Sequence, residues 1–384
     1  MSEHQAVATR ALERARRTRR VRRRLAGHRT PRTAQVIGLI PAHNEADCIA
    51  ATLRSVLDQT RTVDKIYVVA DNCTDDTAEI AARYADVIVT KDNRDKKAGA
   101  LNQALEILLP ELADDDAVLV MDADTTVTAD FVAESARVLT EQPRVGGVSS
   151  IFLGRDTRNV LGLMQAMEFY RYRRQIRRNG NRAYVLSGTA SVLRVSALRA
   201  VKAGRGSVLP SGGGSYYDTH SLTEDNEMTF ALLLLGYQCV APGIVSTTDV
   251  MPTVPKLFRQ RHRWYLGALR NIRGYGRRMP WYMRFVYWRQ QAGLFLTFFG
   301  LLGYLVLATL LPRTYLYAVG LWTVIAVGLL AIERVSTVWR MGWRARLVAA
   351  ALVPEQLYAM LLTATYASAL KDFVLGRKGA WHAT

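Results

Sequence analysis

Two aspartates one residue apart, Asp122 and Asp124, follow the apolar run AVLVM at 117–121. At a strand end, carboxylates so spaced can share one hard cation, with diphosphate oxygens filling its remaining positions. Such a cation offsets charge on a departing nucleoside diphosphate. Asp71 follows a second apolar run, KIYVVA at 65–70, and can accept a hydrogen bond from a nucleobase N–H. Glu224 and Asp225 open a helical stretch after Thr223 and offer a carboxylate to take the proton of an attacking alcohol. With a metal-bound diphosphate leaving, no protein acid is required. One base and one cation then suffice for a single displacement with inversion.

Other motifs support this set and also have local explanations. Pro41, Asn44 and Glu45 lie in PAHNEA (41–46), where the proline is expected to end a strand and Asn44 to cap the next helix. Their functional reading is contact with a base or ribose. Thr74 or Asp75 can cap the helix after Asp71. Lys97, Gly99 and Asn102 in KAGALN begin a helix with small residues and a cation, which suits an anion. Thr223 can likewise cap a helix whose first turn favours Glu224 and Asp225. Gln260, Arg263 and Trp264 share one helix face by spacing, where an amide and a guanidinium suit phosphate and an indole suits a sugar ring. Arg259, Arg261 and His262 are then expected on other faces, toward lipid headgroups. An ordinary amphipathic helix is the plain alternative.

The elements that must position these residues alternate. Strand runs at 35–40, 65–70, 86–90, 117–121 and 146–152 are separated by helix-period stretches at 45–59, 75–85 and 97–109. That alternation predicts an α/β domain over 34–250 with a mostly parallel sheet, whose ligands sit beyond the carboxyl ends of the strands. The stretches 160–178 and 254–273 mix aromatics with arginines and suit either a membrane interface or a protein surface. Cys48, Cys73 and Cys239 show no metal-ligand spacing and fit a reducing, cytoplasmic location for the main domain.

Charge is uneven. Residues 1–33 hold eleven arginines against two glutamates, half of the net charge of +18, and no apolar signal segment follows. A polybasic arm on anionic lipid is the expected role, with a solvated tail as the bland reading and no nucleic-acid partner expected. After interfacial helices over 251–289, apolar stretches at 290–311, 315–332 and 347–370 are expected to enter the membrane before a tail at 371–384. Pro354 and Glu355 interrupt the third, which leaves three spans or a re-entrant segment. Arg334, Arg340, Arg344 and Arg346 place the loop between on the cytoplasmic side of the cell membrane, with the catalytic domain.

PAHNEA, Asp71, KAGALN, DAD (122–124), SGT (187–189), TED (223–225) and QRHRW (260–264), in this order, resemble the family 2 glycosyltransferases, and most closely their processive membrane branch. That branch includes cellulose, chitin, hyaluronan and poly-N-acetylglucosamine synthases. The resemblance implies a GT-A nucleotide-sugar-binding fold, a UDP-sugar donor, Mg²⁺ or Mn²⁺, and inverting transfer to a growing β-linked polysaccharide. It implies that Asp71 holds uracil and that Asp122 and Asp124 hold diphosphate and metal, Asp124 more directly. Asp225 would be the base, beside Glu224. Gln260, Arg263 and Trp264, joined by Ser187 and Gly188 of SGT, would contact diphosphate and acceptor. Two departures stand out: an arginine-rich arm replaces the usual preceding membrane helices, and few spans follow the domain. Either copies of the chain or a partner membrane subunit would then complete any channel, or the product is not secreted by this protein. The rival reading is a transferase adding one sugar to a lipid or other acceptor. A reading of another class is a non-catalytic basic protein binding membrane or nucleic acid.

Overall fold

The computed structural model describes residues 34–155, 157–210, 213–310 and 313–377, with the backbone path alone for 294–308, 313–323 and 326. The expected arm over 1–33 and the tail beyond 377 lie outside the described residues. β1 (Val36–Ala42) leads through α1 (Ile49–Leu57) to β2 (Lys65–Ala70), then through α2 (Thr77–Ala81) to β3 (Asp86–Val89) and α3 (Lys96–Leu108) to β4 (Ala117–Met121). These four strands are mutually parallel, in the order β3-β2-β1-β4. Alternate side chains feed two cores. Ile37, Leu39, Val118 and Val120 meet Leu101 and Leu105 of α3 on one face. Val36, Ile40, Leu119 and Met121 meet Ile49 and Leu53 of α1 on the other. Burial on both faces is why these strands read as continuous apolar runs.

Pro41 does not end β1; it lies within the strand, opposite Val69. Gln35 O accepts from Ala117 N–H, so odd-numbered residues of β1 turn toward β4, and that ladder stops at Leu39. The missing proline N–H thus falls where no ladder partner stands. Asn44 does not cap α1 either. Its φ is 57°, its Oδ1 accepts from Thr74 N–H at 2.7 Å, and α1 starts after Cys48 with no side-chain cap.

The rest of the domain adds β5 (Thr126–Val127), α4 (Phe131–Glu141), β6 (Val145–Ser149), β7 (Ile151–Gly154) and α5 (Val160–Arg178). Then come β8 (Ala190–Arg194), α6 (Val195–Gly204), α7 (Glu224–Leu234), β9 (Gln238–Val240) and β10 (Val245–Thr248). The sheet extends as β4-β8-β6-β9, and β5-β10-β7 form a second, three-stranded sheet. The single run expected at 146–152 is therefore two strands in different sheets. Ser150 N–H bonds Ala190 O, whereas Ile151 N–H bonds Ile244 O. β8 is antiparallel to β4, with Met121 opposite Ala190. That direction sets the residues entering β8 beside those leaving β4.

Among the described residues five α-helices follow: α8 (Val254–Tyr275), α9 (Trp281–Leu310), α10 (Arg313–Thr337), α11 (Trp343–Ala351) and α12 (Val353–Val374). Leu163, Met164 and Met167 of α5 pack with Leu257 of α8, Ala345 and Ala349 of α11 and Tyr358 of α12. Helices α5 and α8 thus bury one face against the C-terminal helices, whichever surface their other faces meet. The stretch 347–370 is not one helix: α11 and α12 meet at 74°, at Leu352 with φ 58°. Among the described residues no single helix is long and apolar enough to cross a membrane, and this bent pair passes by length and composition.

Candidate active site

A cleft of about 1580 Å³ runs from the carboxyl ends of β1, β2 and β4 to α8 and α12. It lies where the strand order reverses between β1 and β4, the place a sheet of this topology leaves open. Asp71 lines it just past the end of β2, 6 % exposed. Its Oδ1 accepts from Thr90 Oγ1 at 2.8 Å, Asn93 Nδ2 at 2.8 Å and Asn72 Nδ2 at 3.0 Å.

Asp122 leaves β4 with its N–H bonded to Thr189 O at 2.9 Å. The antiparallel β8 thereby fixes the Asp122–Asp124 turn to the Ser187–Thr189 turn. Lys97 Nζ lies 2.5 Å from Asp122 Oδ1, 3.1 Å from Glu224 Oε1 and 3.4 Å from Gly188 O. The ammonium expected to await an anion is instead the bridge between two carboxylates. Burial opposes its charge, but Asp122 and Glu224 hold it protonated above the ordinary lysine range. Glu224 is correspondingly lowered: burial works against ionisation, and Lys97 and Arg263 outweigh it.

Asp124 behaves differently. Burial and then the charge of Asp122 push it up to about 6. Among the described residues its Oδ1 takes hydroxyls, Thr125 Oγ1 at 3.1 Å and Thr248 Oγ1 at 3.5 Å. A pair of hard carboxylates, one of them destabilised as an anion, fits a hard divalent cation. No group of three or more His, Cys, Asp or Glu among the described residues is arranged to hold an ion.

Asp225 opens α7 on the opposite wall. Its Oδ2 accepts from Gly188 N–H at 3.1 Å and its Oδ1 from Asn226 N–H at 2.7 Å. Burial, then Glu224, push it up to about 6 against the pull of Lys97. A carboxylate of that value is ionised at neutral pH yet basic enough to accept a hydroxyl proton. Gly188 leaves this approach open, since a Cβ there would stand a tight 3.0 Å from Asp225 Oδ2. Ser187 lines the cleft beside it, its Oγ 2.5 Å from Thr189 Oγ1. Thr223 does not cap α7 with its side chain. Asn271 of α8 instead donates to Thr223 Oγ1 at 3.2 Å and to Asn226 Oδ1 at 2.9 Å, and Gly267 leaves room for Thr223.

Gln260, Arg263 and Trp264 line the cleft from α8, as their spacing predicts. Arg261 does not face lipid. It is 2 % exposed, pairs with Glu168 at 2.9 Å and lies 4.1 Å from the Trp264 ring centroid. His262 is likewise turned inward to Asp372, 3.1 Å away. Pro41 and Glu45 border the cleft. Burial raises Glu45, whose Oε2 accepts from Cys48 Sγ at 3.1 Å. Asp75, not Thr74, serves the start of α2, with Oδ1 accepting from Thr77 N–H at 3.1 Å.

Asn44, Gly99 and Asn102 do not border the cleft. Asn102 is spent on Tyr216 and Tyr217: its Oδ1 accepts their N–H groups at 3.0 and 2.8 Å, and its Nδ2 donates to Tyr217 O at 2.9 Å. Gly99 admits Asn93, whose Oδ1 would be 2.1 Å from a Cβ there. These residues act on the site through its supports. Sequence reasoning also missed Thr90, Asn93 and Asn271, and Arg155, which donates to Asp124 O at 3.0 Å and pairs with Asp249. A polar run after β3 hinted at Asn93; nothing in the sequence marks the others.

Carboxylates at the strand ends, Asp225 on the facing wall and Gln260, Arg263 and Trp264 of α8 thus share one cleft of an α/β domain. Residues 39–202 match the model of glycosyl transferase family 2, and the chain carries a family 2 glycosyltransferase domain. It is 27 % identical over 238 residues to the poly-β-1,6-N-acetyl-D-glucosamine synthase of Staphylococcus aureus strain MSSA476, covering 60 % of this chain and 53 % of that one. The synthase of Staphylococcus epidermidis is 26 % identical over 242 residues. The chain thus spans about half the length of these curated relatives. The mannosyltransferase of Pyrobaculum calidifontis, solved with GDP-Man and Mn²⁺, aligns with a TM-score of 0.58 at 17 % identity. That alignment covers 90 % of this chain and 89 % of the other, and it shows the shared GT-A fold.

Proposed function

We propose that the protein is a membrane-bound, inverting, metal-dependent glycosyltransferase that adds a sugar from UDP-N-acetylglucosamine or UDP-glucose to a growing β-linked polysaccharide. The observation that carries the proposal is the convergence of Asp124, Asp122 and Asp225 on one cleft, with Lys97 joining its two walls. The relatives named poly-β-1,6-N-acetyl-D-glucosamine synthase support the polysaccharide and the sugar.

Asp71 receives the base just past the end of β2, and Asp124 with Asp122 would hold Mg²⁺ or Mn²⁺. When bound, that ion offsets the charge gathering on the diphosphate as it leaves. Gln260 and Arg263 steady diphosphate oxygens, and Trp264 offers its face to the acceptor sugar. Asp225, held by Gly188 N–H, takes the proton of the acceptor hydroxyl as its oxygen bonds the anomeric carbon. UDP departs from the opposite face, so configuration inverts. Arg344 Nη2 donates to Arg158 O at 2.7 Å, which supports a loop after α10 on the catalytic domain's side. That fits a cell-membrane protein with its catalytic domain in the cytoplasm.

The test is UDP release from a panel of nucleotide sugars with Mg²⁺ and Mn²⁺, with product length read in parallel. Turnover of a UDP-hexose into a lengthening product, lost in Asp225→Asn, is the expected result. Failure to turn over any nucleotide sugar would overturn the enzyme reading. A product of one added residue under all conditions would assign the single-transfer alternative. Recovery of the intact chain in the soluble fraction would remove the membrane from the proposal.

A further inference from the structure

Asp71 is held in an asymmetric way that base recognition alone does not require. All three of its side-chain hydrogen bonds fall on Oδ1, and Oδ2 has no partner among the described residues. The donors are themselves fixed. Asn93 uses Nδ2 for both Asp71 Oδ1 and Lys96 O, each at 2.8 Å, and its Oδ1 accepts from Asp95 N–H at 3.0 Å. Asn72 donates to Asn93 O at 3.0 Å as well as to Asp71. Gly99 has no side chain where Asn93 lies. Asn72, Asp92 and Lys96 all adopt positive φ, at 49°, 46° and 57°, a conformation that side chains disfavour and that persists only where surroundings impose it.

We infer that Asn93, with Thr90, makes Asp71 a one-point acceptor and thereby selects uracil against guanine. The inference rests on the UDP reading above. Guanine presents two adjacent donors, N1–H and the exocyclic amine, which pair best with both oxygens of a carboxylate. Uracil presents one N–H between two carbonyls. With Oδ1 occupied by three donors, only Oδ2 remains to receive a proton. The amide groups beside Oδ1 also screen it from a uracil carbonyl. Asn93 is a positioning and specificity residue; it takes no part in the chemical step.

The experiment measures binding of UDP and of GDP to the full-length chain in detergent, for the natural sequence, Asn93→Ala and Thr90→Val. Natural protein should bind UDP more tightly than GDP. Each variant should narrow that ratio, by about tenfold for Asn93→Ala, because freeing Oδ1 restores the second acceptor. The kcat with saturating UDP-sugar should change much less than KM. An unchanged ratio in the folded variants overturns the inference while leaving the UDP reading intact. A natural preference for GDP overturns the UDP reading itself. Thr90→Val removes one Oδ1 donor without touching the Asn93 loop, so the idea stays testable if Asn93→Ala does not fold.

Discussion

Asp225 and Gly188 form a unit of a carboxylate and the N–H that aims it. As Asp225 sits at about 6 by burial and the charge of Glu224, it loses its basic form as pH falls through that value. The expected profile of kcat/KM, taken at saturating Mn²⁺ so that Asp124 does not titrate alongside, is flat above pH 7. Below about pH 6 it should fall toward tenfold per unit. Asp225→Asn should cost about a thousandfold in kcat at any pH and erase that limb. Retention of the limb in the variant would assign the proton transfer elsewhere. Gly188→Ala places a methyl against Oδ2, and the expected outcome is a fall in kcat with nucleotide binding retained. Equal losses in both would mean a collapsed cleft rather than a misplaced base.

At the scale of elements, α7 and α8 are joined by Asn271 and by the space at Gly267. A Cβ on Gly267 would lie 2.5 Å from Thr223 Oγ1, so Gly267→Ala should push the start of α7 from its seat. A displacement near 1 Å at a base can cost on the order of a hundredfold in rate. Single-turnover rates should show it, with melting temperature as the control for folding. The parallel half of the sheet was legible because its strands are apolar without interruption and its helices keep their period. Asp71, Asp122 and Asp124 were legible because carboxylates at strand ends have no packing reason to be there. β8 was not, since the run ASVLR (190–194) is short and its antiparallel direction leaves no mark in a sequence. Asn102 and Gly99 misled because small and polar residues at a helix start serve packing as readily as ligands. Arg261 misled because a spacing argument cannot see Glu168 arriving from another helix.

For the whole molecule, α5 and α12 are riveted twice. Arg171 binds both oxygens of Glu355, at 3.1 and 2.6 Å, and Glu168 accepts from Tyr358 at 2.6 Å while pairing with Arg261. Removing one partner of such a pair leaves a largely buried charge uncompensated. Glu355→Ala should therefore cost about 3 kcal/mol. Faster cleavage around 338–352 under limited proteolysis would register it; an unchanged cleavage rate would mean that apolar packing alone holds these helices. Helix α8 carries a longer consequence. Gln260, Arg263 and Trp264 on its cleft side lie on the same stripe as Gly267 and Asn271, which seat the base helix. Acceptor grip and base position are therefore inherited together. A chimaera that imports α8 alone from a relative should be silent, whereas one importing α7 and α8 as a block should keep turnover and change what it extends.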